Sequence, residues 1–207
     1  MSKLTWNPGT LLAPVPPAMV TCGTLERPNL LTIAWTGIVN THPAMTYISV
    51  RPSRHSYGLI RDSGEFVINL TTAALVRACD YCGVRSGSKE DKLAACGLTV
   101  EPASKVSAPL LAQSPLSLEC RVKQVLALGS HDMFLAEIVA MDVDPALVDT
   151  AGKLHLERAG LAAYAHGAYY ELGRRLGTFG YSVARRPAGR GAKRTAKRSS
   201  GGTRRKP

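Results

Sequence analysis

The clearest alternation of apolar and polar side chains lies between residues 116 and 143. In Leu116–Leu126, apolar side chains or cysteine occupy every second position up to Val122, and polar side chains lie between them. Successive side chains of a strand point to opposite faces, so this segment predicts a strand with one buried face. Met133–Val143 is apolar on both faces and predicts a strand covered by the core on one side and by a helix or a partner on the other.

Shorter apolar segments upstream are rich in residues that favour strands and end at turn-forming residues. The sequence LERP separates the first two and predicts a hairpin turn. The predicted strands are Ala18–Thr24, Asn29–Thr36, Thr46–Pro52 and Glu65–Leu70.

Helical spacing of apolar residues predicts short helices over residues 53–62, 72–83 and 89–96. Residues 1–17 predict an irregular arm, because several prolines fix the backbone and remove donors. Helices and strands do not alternate regularly, which disfavours a doubly wound sheet. We therefore predict a mainly β fold, a closed or split antiparallel barrel with short added helices.

The charge of the 207-residue chain is concentrated at its end. The net charge is +11, but residues 184–207 hold 10 Lys and Arg and no acidic residue, so residues 1–183 are nearly balanced. A segment so poor in apolar residues cannot bury enough surface to fold. We predict one domain over residues 1–183 and a disordered basic tail over residues 184–207, which is capable of weak, non-specific anion binding.

Cysteine usage and the N-terminal sequence indicate a cytoplasmic protein. Five irregularly spaced cysteines do not suit a secreted disulfide scaffold. Residues 4–25 and 28–50 lack charged side chains, but prolines, asparagines and a histidine interrupt them, so we predict no membrane span. The N-terminus also lacks the order of a signal peptide.

Few residues predict chemistry by themselves, and common nucleotide and hydrolase motifs are absent. Cys79 and Cys82 form a C-x-x-C that fits a redox pair or half of a zinc site, but their position on an apolar helix face favours core packing. We predict no metal site. Glu137, in an apolar strand, predicts either an ion pair with Arg121 or a functional carboxylate. His131, at a predicted hairpin turn, is a candidate site residue.

Residues 49–57 suggest an anion site. A strand ends at Arg51 and leads into a serine-rich helix start, where free N–H groups, hydroxyls and a guanidinium suit a phosphate. The alternative is that Ser53 only caps the helix and Arg51 is solvated.

Four pieces of the chain, in order, resemble the flavin reductase-like, FMN-binding split-barrel family, and most of all its flavoredoxin branch. They are NLLTIAWTGIVNTHPAMTYISVRPSRHSYGLI, GEFVINL, DYCGVRSGSKEDKLAACGL and PLSLECRV with LGSHDMFLAEIVAMDVD. AHGAYYELGRRLGTFGYSV also resembles that branch, so the resemblance covers about residues 8–183. It implies a six-stranded antiparallel Greek-key split barrel, a homodimer, and FMN bound in a groove near the dimer interface.

The resemblance also implies roles for individual residues. Thr32, Ala34 and Trp35 would line the isoalloxazine ring. His131 would lie near the nicotinamide, and Ala136 stands where the family usually has glycine, which leaves the shape of that pocket open. The ribityl chain and phosphate would contact Ser49, Arg51, Ser53, Ser56, Tyr57, Asn69, Ser86 and Lys92.

Taken together, these features predict an FMN-dependent oxidoreductase that passes electrons from NADH or NADPH to an acceptor. The flavin would supply the chemistry, and His131 is the one candidate catalytic residue. The alternative is a non-enzymatic binding module whose basic tail docks on nucleic acid or an anionic surface. Neither the preferred nicotinamide nor the acceptor follows from the sequence.

Overall fold

The computed structural model describes residues 2–184. These belong to two units, the first ending at Leu172 and the second beginning at Gly173. The described part of the second unit, residues 173–184, contains turns and neither helix nor strand. The predicted disordered tail lies outside the described residues, apart from Ala184, and it remains a prediction together with the boundary at residue 183.

The core of the first unit is one antiparallel sheet of seven strands. Its spatial order is β2-β1-β5-β8-β9-β4-β3. The strands are β1 (Ala18–Gly23), β2 (Pro28–Ile33), β3 (Thr36–Thr41), β4 (Ala44–Val50), β5 (Glu65–Leu70), β8 (Leu116–Ala127) and β9 (Asp132–Val143). Six of them match the predicted strands, and the mainly β split-barrel prediction is confirmed.

The seventh strand, β3, was missed because Gly37 and Asn40 interrupt its apolar pattern. β3 pairs with β4, with Thr36 opposite Ile48. β2 and β3 are separated only by Ala34 and Trp35 but lie at opposite ends of the strand order. The backbone N–H of Ser49 donates to the Trp35 carbonyl at 3.0 Å, so the sheet curls until the end of β2 meets β4.

The interior of the curled sheet is apolar. Phe66, Ile48 and Phe134 are fully buried there, from β5, β4 and β9. On the other face of β9, Val139 packs against Val106 and Ala108 while Met141 is largely exposed, so the predicted second cover is partial within the described residues. Ala136 also packs in this interior, so its methyl group does not shape the cavities described below.

Three short helices pack on the sheet, one of them (residues 55–63) with its Ile60 in the same interior cluster and the other two against Met19 and Leu30. They are α1 (His55–Ser63), α2 (Val76–Val84) and α3 (Lys92–Cys96), and a 3-10 turn (Ala73–Leu75) precedes α2. α3 begins where Asp91 accepts a hydrogen bond from Ala94 N–H, and it ends at Gly97 in the left-handed conformation that favours glycine. All three helices lie within one or a few residues of the predicted bounds.

Two small hairpins complete the unit. β6 (Val100–Glu101) pairs with β7 (Leu110–Leu111), and β10 (Ala162–Ala165) pairs with β11 (Ala168–Glu171). His166 and Gly167 turn the second hairpin with φ of 47° and 84°. The arm before β1 is tied to β10, because Val15 and Tyr164 exchange two backbone hydrogen bonds of 2.9 and 2.8 Å.

None of the helices in the described part of the chain has the length and apolar character needed to cross a membrane.

Candidate functional site

A cavity of about 280 Å³ opens where β2 ends and β4 runs into α1. We call it the Trp35 cavity. It is lined by Pro17, Leu31, Thr32, Ile33, Ala34, Trp35, Ser49, Val50, Arg51, Arg54, His131, Tyr164 and Tyr169. It thus brings together Thr32, Ala34, Trp35, Ser49, Arg51 and His131, six of the residues that the sequence singled out.

Trp35 and His131 form one wall of the Trp35 cavity. Their ring centroids are 4.5 Å apart and the ring planes are inclined by 44°. Trp35 lies in the gap between β2 and β3, and His131 immediately precedes β9. The curl of the sheet therefore brings two aromatic side chains from distant parts of the chain into contact on one partly exposed wall.

The environment of His131 favours its neutral form. Burial, with a smaller contribution from the charge of Arg51, lowers the pKa of His131 from its usual value. Its Nδ1 lies 3.0 Å from the Ser130 hydroxyl. At neutral pH the imidazole can therefore act as an uncharged hydrogen-bonding and stacking group.

Arg51 lies on the Trp35 cavity, at the end of β4 that also carries Ser49. It does not line a second, neighbouring cleft, which contains Arg54, Arg85 and Lys92. Its role as a phosphate ligand stays a prediction, and the structure places Arg51 on the Trp35 cavity.

A second, narrow cleft of about 20 Å³ adjoins the Trp35 cavity and shares Leu31, Thr32 and Arg54 with it. We call it the Lys92 cavity. The shared residues place the two cavities side by side, and we call the pair the groove. The other lining residues are His55, Ser56, Cys82, Gly83, Arg85, Ser86, Gly87 and Lys92.

Lys92 is the most unusual cation of the cleft, because it is only 5% exposed. Its Nζ donates to the carbonyls of Cys82 and Arg85 at 3.0 and 3.3 Å. Burial lowers the pKa of Lys92. No carboxylate within the described residues lies within 4.0 Å of this ammonium. A buried ammonium held only by neutral carbonyls is stabilised by a bound anion.

The start of α1 supplies further donors. The helix begins at His55, and Arg54 takes the cap position without a side-chain hydrogen bond. Ser56 is buried, and its Oγ accepts a 2.6 Å hydrogen bond from Asn29 Nδ2, which leaves the hydroxyl hydrogen free to donate. A helix N-terminus beside Arg54 and Lys92 favours negative charge.

Two glycines let the backbone approach this cleft closely. A Cβ on Gly87 would collide with the side-chain oxygen of Asn29, and one on Gly83 would lie 3.3 Å from the Cβ of Thr32. The last turn of α2 at Gly83 and the following loop at Gly87 therefore place backbone, rather than side chains, against β2. Backbone N–H groups, hydroxyls and cations at one end fit a phosphate, and an aromatic wall at the other end fits a planar ring.

Three predicted residues lie outside both cavities. Asn69 is fully buried: its Nδ2 donates to the Met19 carbonyl at 2.9 Å, and its Oδ1 accepts from Leu111 N–H and from Ser117 Oγ. The Tyr57 hydroxyl donates to Asp132 at 2.6 Å. Ser53 is exposed and does not cap α1. Asn69 and Tyr57 stabilise the sheet, and none of the three is brought to the site.

The structure adds residues that the sequence did not single out. Arg54, His55 and Arg85 line the Lys92 cavity, and Tyr164 and Tyr169 line the Trp35 cavity. Arg54 and His55 stand next to predicted site residues, so the serine-rich helix start was a usable signal. Nothing in the sequence indicated that β10 and β11 would reach the same cavity.

Other candidate residues have structural roles. Cys79 and Cys82 are buried free thiols in an apolar cluster, and burial raises the pKa of Cys82 to about 12. This confirms the core-packing interpretation. Glu137 pairs with Lys123 at 2.7 Å, not with Arg121, which pairs with Glu65.

Known proteins resemble this chain in sequence and fold. A family model described as "Flavin reductase like domain" matches residues 11–173. An uncharacterized protein of Archaeoglobus fulgidus is 32% identical over 115 residues, which span 56% of this chain and 65% of that protein. The match therefore covers slightly less than two thirds of that relative.

Solved structures share the fold over most of the chain. Flavoredoxin of Desulfovibrio vulgaris (Miyazaki F) superposes with a TM-score of 0.81 at 29% identity, covering 88% of this chain and all of that one. Flavoredoxin from Methanosarcina acetivorans superposes with a TM-score of 0.80 at 25% identity, covering 89% of this chain and all of that one.

Proposed function

The chain belongs to the family of flavin reductase like domains, and on that premise we propose that it is an FMN-binding oxidoreductase that passes electrons from NADH or NADPH through the flavin to an acceptor. The two flavoredoxins of similar structure support this proposal. The single observation that carries it is the pair of adjoining cavities, with an aromatic wall in one and the buried ammonium of Lys92 in the other.

The Lys92 cavity suits the phosphate of FMN. Arg54, Arg85 and Lys92 supply positive charge, and the hydroxyls of Ser56 and Ser86 supply neutral donors. Charge-assisted hydrogen bonds from such groups are about twice as strong as neutral ones. Because the two bonds that Lys92 already makes are to carbonyls, its third N–H can donate to the phosphate.

The Trp35 cavity suits the isoalloxazine ring. Trp35 and His131 offer aromatic ring faces, and Thr32, Ala34 and Ser49 line the same space. Bound FMN would supply the redox chemistry, accepting a hydride from the nicotinamide and releasing electrons to the acceptor. The protein orients the ring, limits the access of water and keeps His131 uncharged.

His131 is proposed to position the nicotinamide. It is partly exposed at the rim of the cavity and stacks on Trp35. Its lowered pKa keeps it neutral, so it can contact a neutral dihydronicotinamide without adding charge. It is not proposed to transfer a proton.

A homodimer is also proposed. Ile38 and Val39 on β3 and Met141 on β9 are exposed apolar side chains of the barrel. A second copy of the chain is the proposed cover for exposed side chains of this kind. Light scattering during size-exclusion chromatography should give twice the chain mass, and a monomer at micromolar concentration would overturn this part of the proposal.

The central test is reconstitution of the full-length protein with FMN. We expect flavin absorbance bands, release of FMN on denaturation, and tighter binding of FMN than of riboflavin, because riboflavin lacks the phosphate. Stopped-flow mixing of the loaded protein with NADH or NADPH should bleach the flavin. A colourless protein that cannot be reconstituted with FMN would overturn the proposal. If FMN binds but neither NADH nor NADPH reduces it, the proposal that a nicotinamide is the electron donor is wrong.

A further inference from the structure

A third cavity, of about 670 Å³, lies between the N-terminal arm and the β10–β11 hairpin. We call it the arm cavity. It has no role in the groove described above. It is lined by Trp6, Thr10, Leu11, Leu12, Ala13, Val15, Trp35, Tyr164, His166 and Gly167.

The arm that forms this cavity is held at one point and is strongly apolar. Val15 fixes it to Tyr164 through the paired backbone hydrogen bonds. Upstream of that anchor, Trp6 is 79% exposed and Leu11 60% exposed. Large apolar side chains gathered around a cavity, instead of scattered singly, mark a binding surface for an apolar ligand.

The lining of the arm cavity contains no charged residue of the Asp, Glu, Lys or Arg type among the described residues. The neighbouring groove, in contrast, contains Arg51, Arg54, Arg85 and Lys92. An anionic ligand therefore gains charge pairing in the groove and none in the arm cavity. Aromatic side chains from Trp6, Trp35 and Tyr164 favour a flat, neutral ring system.

The arm cavity and the Trp35 cavity share a wall. Trp35 and Tyr164 line both of them. A molecule in the arm cavity would thus be separated by these side chains alone from the space that we assign to the flavin ring. This position is suited to a molecule that exchanges electrons with the flavin.

We propose that the arm cavity binds a neutral, planar aromatic molecule and that such a molecule is the electron acceptor of this protein. The acceptor role rests on the proposed function, but the binding site does not. For a nitroarene, the balanced reaction is NADH + H⁺ + ArNO₂ → NAD⁺ + ArNO + H₂O. The nicotinamide loses a hydride, the nitro group gains two electrons and two protons, and one of its oxygens leaves as water.

The test compares two probes that differ by one charge, nitrobenzene and 4-nitrobenzenesulfonate. Calorimetric titration of the full-length protein without FMN keeps the result independent of flavin binding. Leu11→Asp places a charge in the lining, and Leu4→Asp is the matched control, because Leu4 lies on the same arm, is 87% exposed and does not line the cavity. Circular dichroism and FMN titration verify that both variants fold.

We expect nitrobenzene to bind the wild type and Leu4→Asp equally, and Leu11→Asp at least about tenfold more weakly. The sulfonate should bind the wild type at least about tenfold more weakly than nitrobenzene. Absence of nitrobenzene binding, equal binding by both aspartate variants, or preference for the sulfonate would each overturn the site. With the site established, failure of the loaded protein to reduce nitrobenzene, although NADH bleaches its flavin, would overturn the acceptor role alone.

Discussion

The indole of Trp35 and the imidazole of His131 are in contact, with ring centroids 4.5 Å apart and ring planes inclined by 44°, although the two residues lie far apart in sequence. The contact depends on the curl of the sheet, which brings the end of β2 beside the turn that precedes β9. The side chain of Arg51 lines the same cavity. The Arg51 guanidinium therefore acts on the protonation of the His131 imidazole.

The pKa of His131 should lie below 6.5 and should rise in Arg51→Gln, because that substitution removes a nearby positive charge. The His131 imidazole binds a proton less readily in the folded protein than in the unfolded chain. His131 therefore reduces the free energy of unfolding only as the pH falls below its pKa in the unfolded chain. NMR titration of the imidazole protons measures the pKa directly. An unchanged pKa in Arg51→Gln would show that the guanidinium does not act on His131.

Arg54→Gln should weaken FMN binding by about ten- to a hundredfold while changing riboflavin binding much less, because Arg54 lines both cavities and can reach the phosphate. Arg61→Gln is the matched control on the same helix, since Arg61 pairs with Asp62 and lines neither cavity. Fluorescence titration with both flavins makes the comparison.

Arg51→Gln completes that experiment. Because Arg51 lines the Trp35 cavity alone, it should change the affinities for FMN and riboflavin in equal proportion. If Arg51→Gln loses affinity for FMN but not for riboflavin, and Arg54→Gln does not, then Arg51 is the phosphate ligand, as predicted from the sequence.

Gly87→Ala should destabilise the protein by about 1–3 kcal/mol, because the added methyl group meets the Asn29 carboxamide and disturbs its hydrogen bond to Ser56. FMN affinity should fall as well. Gly58→Ala is the control, since a Cβ there has nothing within 4 Å and favours the helix. Thermal unfolding and FMN titration measure the stability and the FMN affinity of both variants. Equal stability of Gly87→Ala and Gly58→Ala would contradict the close packing at Gly87.

Glu119→Gln should destabilise the protein by about 2–4 kcal/mol. Glu119 is fully buried and accepts hydrogen bonds from Ser104 N–H and Oγ at 2.8 and 2.7 Å, and from the N–H groups of Lys105 and Val106. Burial alone raises the pKa of Glu119, but the bonds from Ser104 and Lys105 outweigh it and hold the pKa below its usual value.

The lowered pKa fixes the sign of the pH effect of Glu119. Its contribution to stability is present above about pH 4.5 and is lost as the pH falls through the lower folded pKa. Urea unfolding of wild type and Glu119→Gln at neutral and acidic pH measures this. The difference between them should shrink in acid, and a difference that grew in acid would contradict the assignment.

The sequence predicts those parts of the fold that have a strong local signal. The strict alternation in β8 and the apolar run of β9 gave both strands almost to the residue. β3 lacks such a signal because its pattern is broken by Gly37 and Asn40, and its stability comes from pairing with β4. The β10–β11 hairpin was missed too, although His166-Gly167 between short apolar segments is a usable turn signal.

The site was predicted less precisely than the fold. Residues 49–57 indicated an anion site, but sequence spacing could not decide which arginine reaches which cavity, because that depends on where β4 leaves the sheet. Asn69 was assigned to the ligand by the family resemblance and not by any local pattern. In the structure, its partners lie on three strands that the sequence does not place beside it.

Asn69 has a consequence for how the chain finds its structure. Its one carboxamide is satisfied only when β5 stands in a single alignment with β1, β7 and β8. A shift of β5 by one residue would turn this group to the other face and leave its four partners on β1, β7 and β8 unmatched. Asn69 therefore destabilises sheets in which β5 is misaligned, and so selects the strand register in which the groove can form.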